Sequence, residues 1–238
     1  MYCLSALLGD VKLKDFFALR KYQRDFDKKN RGYFKPDGTI VFCGPQGSGK
    51  TLSAVRYVRR LLDLYPSAIV ISNIQLTGID TIPFQGLDDM SVYPNNGIYG
   101  TIVLIDEIQI EFNSLESLNV SPSEMAVISQ QRKRRVHIVG TSQLFTRISK
   151  VYREQITAAI DCSCILGCIQ KNSIIDFDAC AYDIQGNLTK TAYSRNIYWS
   201  RSPRDFDLYD TTSIVTRKGG SSRVYPRRMA SGSPGRGR

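Results

Sequence analysis

The chain has a single histidine in 238 residues, and that scarcity removes several kinds of chemistry at once. A zinc site drawing on two histidines is excluded, as is a histidine pair working as acid and base. His137 sits in an apolar run and reads as a strand residue rather than a catalyst. Cysteine is also sparse. Cys3, Cys43 and Cys180 are scattered, and Cys162, Cys164 and Cys168 form C-x-C-x3-C without a fourth ligand nearby. Small buried thiols account for them better than a metal cluster or a disulfide framework. No apolar stretch approaches the ~20 residues needed to span a bilayer. The nearest, Ala158 to Ile169, is short and contains Asp161. The N-terminus lacks a basic n-region, so no secretion signal is read. No internal repeat is found.

Acids are outnumbered by bases, and the formal net charge is +10. Six of the cations, Lys218, Arg223, Arg227, Arg228, Arg236 and Arg238, lie in the last 21 residues, which hold no acid. Gly, Ser and Pro dominate there, which predicts a disordered basic tail over 218–238. Such a tail suits a polyanion such as nucleic acid, or an anionic membrane surface, or serves solubility alone.

What is present is concentrated in one octet. Gly44-Pro45-Gln46-Gly47-Ser48-Gly49-Lys50-Thr51 reads G-x-x-x-x-G-K-T, the phosphate-binding P-loop. Thr39 to Cys43 enters it as a strand, and Thr51 to Val58 leaves it as a helix with Arg56, Arg59 and Arg60 on the outer face. Glycines let the backbone turn its N–H groups toward a phosphate, and the helix N-terminus adds positive potential. Lys50 is expected at the β- and γ-phosphates and Thr51 at Mg²⁺.

A second acidic signal follows. Thr101 to Ile105 is continuously apolar and ends in Asp106-Glu107. An all-apolar run suits a central parallel strand covered on both faces. Carboxylates at its C-terminal end face the ligand crevice. Asp106 is assigned to the Mg²⁺ shell and Glu107 to polarising the attacking water. The strand Val136 to Thr141 ends in Ser142-Gln143, and Gln143 is the candidate γ-phosphate sensor. A catalytic glutamate beside the aspartate argues for ATP hydrolysis, with one strand between the P-loop and acidic strands. The absence of N-K-x-D disfavours a GTPase, and no arginine-rich lid is found for a small-molecule kinase.

Lys12 to Asn30 is a basic amphipathic helix carrying Leu13, Phe16, Phe17, Leu19 and Tyr22. Packing on its own domain is the default, with a sheet edge, a neighbouring subunit or lipid as other covers. Ala68 to Ser72 is a strand, and 76–100 is irregular. Ser121-Pro122-Ser123-Glu124 starts a helix through a capping box. That helix ends in Arg132-Lys133-Arg134-Arg135, which serves either the helix dipole or an interface or DNA patch. From Ala158 to Trp199 the pattern is β-rich, with strands over Cys162–Leu166, Ile174–Ala179 and Thr189–Trp199 and a hairpin turn at 183–187. Extra strands on the same sheet are favoured over a separate module. The expected organisation is a helical segment (1–36), a P-loop domain with a β-rich extension (37–217) and the tail. The fold class is α/β, a mostly parallel sheet flanked by helices.

Gly44 to Thr51, Ile102 to Glu107, and the basic helix end followed by a strand and Ser142-Gln143 together resemble the N-terminal domain of the zonula occludens toxin family. That family lies in the FtsK–HerA-like branch of P-loop ATPases. Ile148 to Arg153 is similar to the segment that follows the family's glutamine. The resemblance covers roughly 38–160. It implies a phage-encoded ATPase, hexameric, using ATP and Mg²⁺ to drive DNA packaging or extrusion during virion assembly. It also implies an arginine supplied across the subunit interface, with Arg153 and Arg147 as candidates and Arg132 and Arg135 behind them. The setting implied is the cytoplasm of a bacterial host, peripheral at the inner membrane, alongside phage assembly or membrane proteins. The membrane span and exported domain of filamentous-phage members are missing here, so no toxin activity is carried over. A replication or helicase-loading ATPase and a slowly hydrolysing assembly scaffold are the alternative readings.

Overall fold

In the computed structural model, residues 13–86, 93–110, 131–182 and 188–209 are described. The capping-box helix start at Ser121, the hairpin turn at 183–187 and the basic tail lie outside these residues. An eight-stranded sheet organises the chain, in the order β10-β7-β6-β1-β5-β4-β2-β3. Its strands are β1 (Gly38–Cys43), β2 (Ile69–Ser72), β3 (Thr81–Pro83), β4 (Thr101–Ile105), β5 (Val136–Ser142), β6 (Ile156–Ile165), β7 (Ile169–Ile175) and β10 (Tyr193–Ser200). β8 (Ala181–Tyr182) and β9 (Leu188–Lys190) form a separate antiparallel pair.

All pairings from β3 through β6 are parallel. Within this sheet the described antiparallel pairings are β6–β7 and β7–β10. The β-rich C-terminal part therefore extends the same sheet. β5 lies between β1 and β4, so one strand separates the P-loop strand from the acidic strand.

Alternation along the central strands feeds two cores. Ile102 and Leu104 pack with Val139 and with Val55, Val58 and Leu61 of α2 (Lys50–Leu64). Val103, Ile105, Val41 and Ile138 face the other way, against Ile148 and Tyr152. β4 is buried at all five positions, as its apolar run requires. Full burial of each such aliphatic side chain contributes about 1.5–3 kcal/mol. Tyr65 closes α2 by donating its N–H to Leu61 O at 2.7 Å, and Pro66 forbids further turns.

Four expectations change. α1 (Leu13–Lys29) has no buried residue; Leu13, Phe16, Phe17, Leu19 and Tyr22 are all exposed. Among the described residues its apolar stripe is thus left uncovered; Phe26 meets Tyr33 and Asp27 pairs with Lys35 near its C-terminal end. The 76–100 region contains β3, which pairs with β2 as an outer strand. The run 174–179 is not a strand: β7 ends at Ile175, and Ala179 N–H bonds back to Asp176 O to make a turn. Thr189 to Trp199 is two strands, since Asp176 N–H donates to Ala192 O between β9 and β10.

Candidate nucleotide site

The octet does turn from strand to helix, at the C-terminal ends of the parallel strands. Gly44 N–H donates to Ser142 O at 3.1 Å, which ties the loop to the end of β5. Gly49 is the N-cap of α2 at φ 85°, a left-handed conformation that glycine adopts without strain. Ser48 is buried, and its hydroxyl has no hydrogen-bond partner among the described residues. An orphaned hydroxyl inside the loop fits a polar ligand.

Lys50 is 8% exposed, and an ammonium so buried requires a partner. It finds Glu107, with Nζ 3.3 Å from Oε1. One position earlier, Asp106 Oδ1 accepts from the Thr51 hydroxyl at 2.8 Å and from the Thr141 hydroxyl at 2.7 Å. The two P-loop residues and the two acids at the end of β4 therefore meet in register: Lys50 with Glu107, Thr51 with Asp106. A threonine hydroxyl beside a carboxylate is a hard oxygen donor set of the kind that holds Mg²⁺.

Both acids are held from behind. Asp106 N–H donates to Asn73 Oδ1 at 2.8 Å, and Asn73 Nδ2 donates to Asp106 O at 2.9 Å. Glu107 N–H donates to the Thr141 hydroxyl at 2.9 Å, and Gln109 Nε2 donates to Glu107 Oε2. Glu107 itself has φ 56°. A left-handed glutamate is strained, and the strain is sustained here by hydrogen bonds with Thr141 and Gln109 and by the ion pair with Lys50.

Gln143 follows Ser142 at the same end of the sheet, beside Gly44. Its Oε1 accepts from Arg147 Nη1 at 2.6 Å. Arg153 is placed elsewhere. It precedes β6, whose first residue is registered with Thr39 at the start of β1, and its guanidinium lies over the Phe145 ring. The structure therefore brings Lys50, Thr51, Asp106 and Glu107 together, keeps Gln143 at their end of the sheet, and sets Arg153 ahead of β6 with its guanidinium over Phe145 rather than among them. Arg135 is engaged within its own chain, over the Tyr33 ring and bonded to Gly97 O. The side chain of Arg132 lies outside the described residues.

Sequence reading missed Asn73, Thr141, Gln170 and Arg201. Asn73 and Thr141 carried a usable signal, since both are polar residues at the C-terminal end of a parallel strand. Gln170 and Arg201 carried none. They come from β7 and the end of β10, and both donate to Ser48 O at 3.0 Å.

His137 is buried, as expected of a strand residue. Its Nδ1 lies 3.1 Å from Asp37 O and so donates, which leaves Nε2 to accept from the Tyr57 hydroxyl at 3.0 Å. Burial holds its pKa below the ordinary histidine value, against hydrogen bonds to the Asp37 and Gly38 backbone that raise it. Burial pushes the Cys43 thiol up, and the Cys162 thiol up to about 12. Among the described residues no group of three metal-ligating side chains occurs, and no helix is long and apolar enough to cross a membrane.

No protein-family model and no curated protein matches the chain. Solved structures do. The flagellar accessory protein FlaH from Methanocaldococcus jannaschii is 15% identical, with a TM-score of 0.43, over 73% of this chain and 89% of its own. The genome packaging NTPase B204 from Sulfolobus turreted icosahedral virus 2, in complex with AMPPCP, is 15% identical, with a TM-score of 0.44, over 53% of this chain and 74% of its own. The N-terminal domain of zonular occludens toxin from Neisseria meningitidis is 16% identical, with a TM-score of 0.51, and aligns over 74% of this chain and all of its own. With this sheet order and this loop, the fold is that of a P-loop NTPase, shared with the zonular occludens toxin N-terminal domain.

Proposed function

We propose that the chain is an ATP-binding and ATP-hydrolysing P-loop motor, of the zonula occludens toxin-like kind, that moves phage DNA during virion assembly by packaging or extrusion. The observation that carries the hydrolysis reading is the double pairing of Lys50 with Glu107 and Thr51 with Asp106. A P-loop that only held phosphate would have no need of a second carboxylate against its lysine.

In this reading the backbone of Gly44 to Thr51, including Pro45, Gln46 and Gly47, wraps the phosphates. Thr51 and Asp106 would hold Mg²⁺, which would supply positive charge to offset that of the phosphates. Lys50 leaves Glu107 for the phosphates, and the freed carboxylate orients a water toward the γ-phosphorus. As the water oxygen bonds to phosphorus, the bond to the ADP oxygen breaks and Glu107 takes the water's proton. The strained backbone at Glu107 keeps that carboxylate aimed without reorganisation. Gln143 reads the γ-phosphate end.

An arginine from a neighbouring subunit offsets transition-state charge. Arg153, with Arg147 as the other candidate, acts on a neighbour's site in this reading, which requires an oligomer; a hexameric ring is the assembly that the resemblance implies. DNA, carried against the basic tail, is the load. Mass in solution with ATP, and turnover with and without single- and double-stranded DNA, test this reading. A nucleotide-dependent ring stimulated by DNA supports the motor. Slow, DNA-indifferent turnover would overturn it in favour of an assembly scaffold. Stimulation without a packaging or extrusion phenotype would favour a replication or helicase-loading role.

A further inference from the structure

We propose that Arg201 and Gln170 are positioning residues that set the phosphate cradle before nucleotide arrives. The inference rests on the nucleotide reading of the loop and names how this chain tunes it.

Ser48 O accepts two hydrogen bonds, from Gln170 Nε2 and from Arg201 Nη2, each at 3.0 Å. Arg201 Nε also donates to Gln170 Oε1 at 3.0 Å. The orientation of the Gln170 amide is thereby settled by chemistry. A guanidinium has only donors, so Oε1 must face it and Nε2 must face Ser48 O. Gln170 is fully buried, and its Nε2 reaches Asn172 Oδ1, which accepts in turn from the Ser53 hydroxyl of α2. The network thus links β7, the end of β10, the loop and the first turn of the loop helix.

A trans peptide is planar, and its C=O and N–H point in opposite directions. Fixing Ser48 O outward against Gln170 and Arg201 fixes the Gly49 N–H inward, toward the concave side of the loop. Without that anchor, Gly49 is the residue most free to rotate. The anchor also crowds it: a Cβ at Gly49 would collide with Arg201 Nη2 and Gln170 Oε1. Arg201 is fixed in turn. Its N–H donates to Cys168 O at 2.7 Å, and Asp205 just beyond it pairs with Arg56 of α2 at 3.3 Å. The antiparallel extension of the sheet therefore reaches the loop through Gln170 and Arg201.

The test is titration of the full chain with a fluorescent ATP analogue and Mg²⁺, together with steady-state turnover. Arg201→Met is expected to weaken nucleotide affinity about tenfold, the usual scale for losing a charge-assisted hydrogen bond. KM should rise by a similar factor with kcat within about twofold, because the loop is pre-set before the chemistry. Arg201→Lys, which keeps one charged donor, should recover most of the affinity. Gln170→Glu, which turns the amide donor into an acceptor opposite Ser48 O, should weaken binding again. If Arg201→Met does not fold without nucleotide, Arg201→Lys and Gln170→Glu carry the test. Affinity unchanged in these variants, against a wild type that binds, would overturn the brace alone. A wild type that binds no ATP would overturn the nucleotide reading itself.

Discussion

Lys50 and Glu107 form an ion pair across the mouth of the P-loop, with Nζ and Oε1 3.3 Å apart. On the proposed function, the lysine that meets the phosphates is held by the carboxylate that serves as base. Nucleotide has to take Lys50 away from Glu107. Replacing Glu107 with Gln should remove this competition and the repulsion between the carboxylate and the phosphates. ATP affinity is expected to hold or tighten, while turnover falls 10²–10⁴-fold through loss of the base. Equilibrium binding and single-turnover rates on the same variant check both halves.

His137 gives the fold a pH dependence that can be isolated, because it is the chain's one histidine. Burial lowers its pKa in the folded state. Below the unfolded value of 6.5 the unfolded chain binds the proton first, so stability falls as pH drops. It is fully present above that value. Thermal unfolding from pH 8 to pH 5 should show a loss beginning near 6.5, and His137→Gln should flatten that part of the curve.

The cysteines should divide by environment. Cys43 and Cys162 are buried, with thiols pushed upward by burial, whereas Cys168 is exposed. A maleimide at pH 7.5 is expected to label Cys168 in the folded protein and to reach Cys43 and Cys162 only after unfolding. Peptide mapping after timed labelling reads the order.

Substitution at α1 should be nearly silent for stability. Phe16 and Phe17 are 52% and 66% exposed. Phe16→Ser and Phe17→Ser should each change stability by no more than about 0.5 kcal/mol, as for ordinary surface positions. Denaturant midpoints at constant slope check this.

The parallel half of the fold was legible because its signals are local. Thr39 to Thr51 announces strand, loop and helix within thirteen consecutive residues, and Thr101 to Glu107 announces a buried strand ending in acids. Even the strand between them could be placed, since Glu107 beside Asp106 implies it. The supporting network was not legible. Gln170 meets Ser48 across 122 positions, and Arg201 meets it across 153. No periodicity encodes a contact at that range. α1 misled for a related reason: an apolar stripe says that a helix has a face to bury, not that its own domain buries it. Spacing alone does not separate Arg147 from Arg153; their contacts do, Arg147 with Gln143 and Arg153 with the Phe145 ring.

ATP hydrolysis by this P-loop, with Lys50 and Glu107 at its centre, is what the proposed function stands on. Phosphate release from ATP and Mg²⁺ by purified wild type, beside Lys50→Ala and Glu107→Gln, tests it most directly. The expected results are turnover in the wild type, loss of nucleotide binding in Lys50→Ala, and bound but unhydrolysed ATP in Glu107→Gln. Turnover that survives in Glu107→Gln, or a wild type that binds ATP without ever releasing phosphate, would contradict it.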